Sequence, residues 1–172
     1  MRSKLSSTGI ILVLIFSLLL VSSYPINFVS AQSSYHDPVE ITGDEGFLTS
    51  DIVVGGNGTP ENPYIIANWI INATGSWVGI SIKNTRAYFV IRNVTIYGSN
   101  YGVYLENVSN FIIENSRIFN IQDDGIETQE SSNGRITGNT IYNASVGIKF
   151  TDWDGVIHSP NTNITVDNNH IY

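Results

Sequence analysis

The feature that most constrains this chain is a repeat of about 23 residues. One column of it is a glycine followed by an apolar residue: Gly79-Ile80, Gly102-Val103, Gly125-Ile126 and Gly147-Ile148. A second has the form apolar-x-Asn-x-x-Ile. It runs from Ile66-Ala67-Asn68 to Ile71, from Ile91-Arg92-Asn93 to Ile96, and from Ile113-Glu114-Asn115 to Ile118. It continues from Ile136-Thr137-Gly138 to Ile141 and from Val166-Asp167-Asn168 to Ile171. The steps are 25, 22, 23 and 30 residues, the last lengthened by a polar loop from about Asp152 to Asn163. A unit this short cannot bury its own apolar face, so copies must stack into one continuous core.

Within each unit apolar and polar residues alternate, which is the period of a strand. Ile80 and Ile82 point one way, Ser81 and Lys83 the other; Phe89 and Ile91 repeat the pattern, as do Phe111 and Ile113. Beyond the first thirty residues, no stretch carries a sustained helical stripe. Three short strands per repeat, joined by tight turns, make one coil, and stacking pairs each strand in parallel with its counterpart. Parallel crossovers are almost always right-handed, so the expected class is all-β: a single-stranded right-handed parallel solenoid of about five coils. The Asn column supports this, because a sharp bend needs the left-handed region that Asn and Gly tolerate. Gly138 in place of Asn is what a backbone requirement would produce. Asn68, Asn93, Asn115, Gly138 and Asn168 are therefore read as structural, with their amides able to bond along the stack. A leucine-rich solenoid has a similar period, but very few leucines follow residue 31.

The first 31 residues read as a signal peptide. Arg2 and Lys4 precede an apolar run from Ile10 to Val21, and Val29-Ser30-Ala31 offers a small-residue cleavage site before Gln32. The rival reading is a retained anchor, but the run is short against the roughly 20 residues a span needs. Residues 32–58 then form an N-terminal linker or cap, and 59–172 the repeats. Export to the cell surface or the medium follows. Cleavage takes the formal charge from −7 to −9, since Arg2 and Lys4 leave with the peptide. So acidic a chain lacks the basic patch that nucleic acid requires. The absence of cysteine removes disulfides, thiolate metal sites and Cys nucleophiles.

These columns resemble the right-handed parallel β-helix repeat proteins, the broad group with pectin-lyase-like folds. More narrowly, the chain resembles the exported NosD-like and carbohydrate-binding/sugar-hydrolase β-helix proteins common among archaeal surface proteins. The segment from Gly56-Asn57-Gly58-Thr59-Pro60 to Ile66 is similar to the opening of their first coil. The resemblance covers roughly residues 40–172 and is specific for fold. It leaves function open, because the scaffold hosts lyases, hydrolases, epimerases, adhesins and accessory proteins.

Asp123-Asp124-Gly125 resembles the paired aspartates of polygalacturonase-type hydrolases, which need carboxylates flanking a glycosidic bond. Aligning the coils puts Asn100 and Ser145 beside Asp123, and Tyr101 and Val146 beside Asp124. No second acid row and no Gly-His-Gly turn appear, so the pair reads as an Asp-rich turn and no catalytic residue is assigned beyond these two candidates. Calcium, between Asp123, Asp124, Asp152 and Asp154, is the one cofactor these residues allow. Glu127 is expected to point outward over Lys149 as a cross-coil ion pair, and Arg92 over Glu114 in the same way. A copper site of the NosD-like kind has no support: the sole methionine is the initiator, and His36, His158 and His170 are scattered. Tyr97, Phe119, Tyr142 and Tyr172 form an aromatic column, read as a packing ladder or as a platform for sugar rings, with Trp69, Trp77 and Trp153 as further aromatic candidates. Six Asn-x-Ser/Thr sequons occur. Asn93 lies in the Asn column and is a poor acceptor, as against Asn57, Asn107, Asn143 and Asn163 in turns; Asn72 is the sixth.

The sequence thus points to an exported, non-catalytic surface module that contacts glycans or envelope proteins. One alternative is a fragment of a polysaccharide lyase or hydrolase whose site lies partly outside the chain; others are a NosD-like accessory protein or a purely structural envelope protein. Tyr172 closes a strand with no capping segment after it, so further coils or a partner chain are expected at that edge.

Overall fold

A computed structural model describes residues 33–151 and 160–172. The signal-peptide reading and Asp152, Trp153, Asp154 and His158 lie outside the described residues.

The described chain is a stack of parallel strands with three faces and about four turns. The columns suggested about five coils, and the difference lies in the partial coils at either end. The first face consists of β2 (Val39–Thr42), β6 (Val78–Thr85), the first half of β9 (Tyr101–Glu114) and the second halves of β10 (Arg117–Gln129) and β12 (Thr140–Thr151). The second comprises β4 (Tyr64–Ala67), β7 (Phe89–Arg92), the second half of β9, β11 (Ser132–Thr137) and β13 (Thr162–Asp167). The third holds β1 (Ser34–His36), β5 (Trp69–Asn72), β8 (Thr95–Tyr97), the first halves of β10 and β12, and β14 (His170–Ile171). Among the described strands only β3 (Val53–Gly55) pairs antiparallel, on β4.

Alternation sends one apolar column inward from each face. Ile71, Ile96, Ile118 and Ile141 stand in register and are fully buried; so do Ile66, Ile91, Ile113 and Ile136. On the first face the inward pairs are Ile80 with Val103 and Ile82 with Leu105. The glycine column marks where coils come closest. A Cβ on Gly102 would lie 2.4 Å from the carbonyl oxygen of Gly125 and 2.5 Å from Ile118 Cγ2.

The corners explain the abundance of asparagine. Asn68, Asn93, Asn115, Gly138 and Asn168 all have positive φ, between 49° and 66°. Sequence reading found this column and missed three others: Asn84, Asn107 and Glu130; Gly98, Asn120 and Asn143; and Asn110, Asn133 and Asn163, all also with positive φ. Amides bond along the stacks. Asn93 Nδ2 donates to Asn68 Oδ1 at 2.6 Å, Asn107 to Asn84 at 2.8 Å, Asn143 to Asn120 at 3.1 Å and Asn163 to Asn133 at 2.8 Å.

The segment read as linker or cap is built into the stack. β1 and β2 pair in parallel with β5 and β6, and between β2 and β3 runs the short helix α1 (Gly43–Thr49). Phe47 of α1 stacks on Tyr64 at 4.6 Å and leans on Phe89 at 5.5 Å, covering the first coil. Asp44 fastens the helix by accepting from the Thr85 hydroxyl and from the backbone N–H of Arg86 and Ala87. Among the described residues no helix is long and apolar enough to cross a membrane.

Candidate functional site

The outward positions of the first face form two polar columns. Glu40, Ser81, Tyr104, Glu127 and Lys149 stand in one register, and Thr42, Lys83, Glu106, Gln129 and Thr151 in the other. Trp77, just before β6, and Tyr101, at the start of β9, lean over these columns from the preceding turn. Together they border a groove of about 380 Å3 lined by Trp77, Tyr101, Tyr104, Glu106, Glu127, Gln129 and Thr151. That size falls within the range of roughly 300–1,000 Å3 typical of small-molecule sites.

Three aromatic rings meet at one edge. Trp77 lies 4.8 Å from Tyr101 and 5.2 Å from Tyr104, and the two tyrosines are 5.8 Å apart, all at steep interplanar angles. Trp77 keeps half its surface open to solvent, whereas Tyr104 is buried. The Tyr104 hydroxyl donates to Gln129 Oε1 at 2.8 Å. Burial, with Glu106 and Glu127 nearby, pushes this phenol well above the usual tyrosine range. Burial and then Glu127, Asp123 and Asp124 push Tyr101 up as well. Neither phenol is an acid or base near neutral pH; both offer ring surface and a hydroxyl.

The other edge is ionic. Lys149 Nζ lies 3.0 Å from Asp124 Oδ2 and 3.7 Å from Glu127 Oε1, and Thr151 Oγ1 donates to Glu127 Oε1 at 2.6 Å. The bond to Asp124, with Glu127 adding to it, holds the lysine above its ordinary range despite desolvation. Lys83 is likewise shared, 3.5 Å from Glu40 and 3.9 Å from Glu106, and sits 5.9 Å over the Trp77 ring.

Sequence reading placed Glu127 opposite Lys149, and they are partners in register. It did not bring Asp124 to the same lysine. A register irregularity between Ile121 and Asp124 re-aims that residue, as bulges do. Asp123 stays exposed and accepts from Asn100 Nδ2 at 3.3 Å. Among the described residues no three carboxylate or imidazole groups converge as a metal cluster. Arg92 and Glu114 are partners in register without a salt-bridge contact.

The aromatic column is a stack. Tyr97 on Phe119, Phe119 on Tyr142 and Tyr142 on Tyr172 have centroids 5.2, 5.0 and 5.3 Å apart, with planes within 16°. Phe119 and Tyr142 have both faces covered by their neighbours, whereas Tyr172 stacks on one side only and stays largely exposed. Trp69 is also committed, its Nε1 donating to Ile52 O at 2.8 Å. Of the two described tryptophans, Trp77 is the one left half open to solvent. The signal that would have found the groove is the outward residue of each first-face strand, read coil by coil in register.

The sequons divide in a way the sequence did not anticipate. Asn107, Asn143 and Asn163 occupy ladder positions equivalent to that of Asn93, with Nδ2 donating down the stack. The ground for setting Asn93 aside therefore applies to them too. Asn57 and Asn72 instead accept from their own Thr59 and Thr74.

A second hollow, about 530 Å3, lies on the second face between Pro60, Tyr88, Ile112 and Arg135. Its one charged lining residue, Arg135, is paired with Asp167 at 3.0 Å. It gathers no carboxylates and no open aromatic cluster, so the first-face groove is the better candidate despite its smaller volume.

Fold and groove together define a solenoid whose candidate site lies on the outer side of one sheet. The chain belongs to the right-handed β-helix family: the family described as right handed beta helix region matches residues 45–172. No curated protein and no solved structure matches the chain.

Proposed function

We propose that this protein is an exported surface or extracellular β-helix module that holds glycans in the first-face groove without cleaving them. Within the family, this reading places it with the carbohydrate-binding and sugar-hydrolase β-helix proteins. The observation that carries it is the half-exposed Trp77, braced by Tyr101 and Tyr104 above a floor of Gln129, Glu127 and Thr151. Aromatic faces suit the apolar faces of sugar rings, and convergent carboxylates, amides and hydroxyls suit their hydroxyl groups. Sequence favours export through residues 1–31. The Lys149 ammonium on Asp124 supplies the positive charge that a calcium ion would bring there.

A second reading is a carbohydrate-active enzyme, favoured by two buried carboxylates, Asp124 and Glu127, sharing Lys149. A glycosidase needs one carboxyl free to give a proton. Here a single ammonium is hydrogen-bonded to Asp124 and ion-paired with Glu127, which supports binding over cleavage.

A glycan array with the parent, Trp77→Ala and Tyr142→Ala tests the proposal. Trp77→Ala should lose binding and Tyr142→Ala should keep it. Binding unaffected by Trp77→Ala, or lost only with Tyr142→Ala, returns the site to the aromatic stack. Turnover of any polysaccharide by the parent, abolished in Asp124→Asn, favours the enzyme.

A further inference from the structure

This inference rests on the groove reading and concerns the charge of the ligand. The groove is short of positive charge. Its lining holds Glu106 and Glu127 and no lysine or arginine, and each of the two lysines beside it serves two carboxylates: Lys83 serves Glu40 and Glu106, and Lys149 serves Asp124 and Glu127. Asp123 adds a further carboxylate beside Tyr101, whose phenol feels Glu127, Asp123 and Asp124 together. The Asp124 and Glu127 side chains are 4% and 7% exposed, whereas Lys149 is 43% exposed. Their neutralising charge thus reaches in on a long stem from the neighbouring coil. The aromatic rings act in the same direction, since ring faces attract cations. Lys83 already shows this, lying 5.9 Å from the Trp77 centroid and 5.7 Å from that of Tyr104.

We propose that the groove takes an ammonium-bearing saccharide, an amino-sugar oligomer with free amines, in preference to a neutral or a carboxylate-bearing one. The sugar ring lies against Trp77, and its ammonium completes the charge balance beside Glu106 and Glu127. A polyuronide brings further negative charge to a wall that already holds an excess, and is repelled.

Isothermal titration calorimetry in mildly acidic buffer tests this with three oligomers of equal length: glucosamine, N-acetylglucosamine and galacturonic acid. The glucosamine oligomer should bind about three- to ten-fold more tightly than its acetylated counterpart, with the galacturonate weakest, and added salt should narrow the gap. Glu106→Gln should reduce the preference by about two- to five-fold, as expected for one partly exposed charge. Trp77→Ala keeps the net charge, and should lose both amino-sugar ligands. Equal affinity for the free and acetylated oligomers, or galacturonate binding as well as glucosamine, overturns the charge preference and leaves the groove reading standing. Glucosamine binding that survives Trp77→Ala marks general attraction of a polycation to an acidic protein, and also overturns it. If the parent binds none of the three, the groove reading falls, and this inference with it.

Discussion

At the scale of single residues, the solenoid is a problem of left-handed corners. Among the described residues twelve non-glycine positions have positive φ, and eleven of them are asparagine. The preference is steric and local: asparagine tolerates this region where most residues lose roughly 1–2 kcal/mol. Asn115, with φ of 49°, provides the test. Asn115→Ala should lower the unfolding free energy by about 1–2 kcal/mol, and Asn115→Gly by less. At Gly138 the order should be Gly138→Asn milder than Gly138→Ala, because, of the two replacements, asparagine adopts the left-handed region more readily. Urea titration of the four variants reads both orders, and equal losses for alanine and its partner at either site would remove the conformational account.

At the scale of elements, strands are held by close approach and the cap by charge. A Cβ at Gly102 meets a carbonyl oxygen of the next coil and a core isoleucine, whereas one at Gly55 meets nothing within 4 Å. Gly102→Ala should therefore cost several kcal/mol, about that of an overpacked core position or more, while Gly55→Ala should leave the melting temperature almost unchanged. Similar shifts in the two would show that the coils have slack. The helix α1 is tied by Asp44, whose carboxyl is held below the usual 3.8 first by the Thr85 hydroxyl and then by the Arg86 and Ala87 amides. A carboxyl with a depressed folded value stabilises the fold above 3.8, and that contribution fades as pH falls through the lower value. The melting temperature of Asp44→Asn should thus lie below the parent's by a constant margin from roughly pH 5 to 8, closing below 3.8. A margin that widens in acid would contradict the assignment.

At the scale of the whole molecule, the two ends of the described stack differ. Phe47 and α1 cover the first coil. Among the described residues, β13 and β14 pair on one side only, and Phe150, Val166, Ile171 and Tyr172 are substantially exposed. Such an edge templates pairing with another chain. A chain spanning residues 33–172 should therefore self-associate as concentration rises, and charge placed on the edge by Val166→Lys should weaken this. Sedimentation velocity that shows the parent monomeric throughout would contradict it.

The sequence by itself determined the solenoid. Its repeat length, its period-two alternation and the Asn-or-Gly corner at 68, 93, 115, 138 and 168 are local requirements, and local requirements leave local signatures. It also placed Lys149 over Glu127, because a constant repeat fixes the register between neighbouring coils. Only the tertiary structure decided where the candidate site lies. Asp124 reaches Lys149 through an irregularity between two coils that neither coil's own sequence reveals. The faces of Phe119 and Tyr142 are hidden by their stacked neighbours, a matter of ring orientation that spacing leaves open. Trp77 is left facing the groove because Tyr101 and Tyr104 of the next coil brace it from the side, and sequence gives the order of those rings but not their angles.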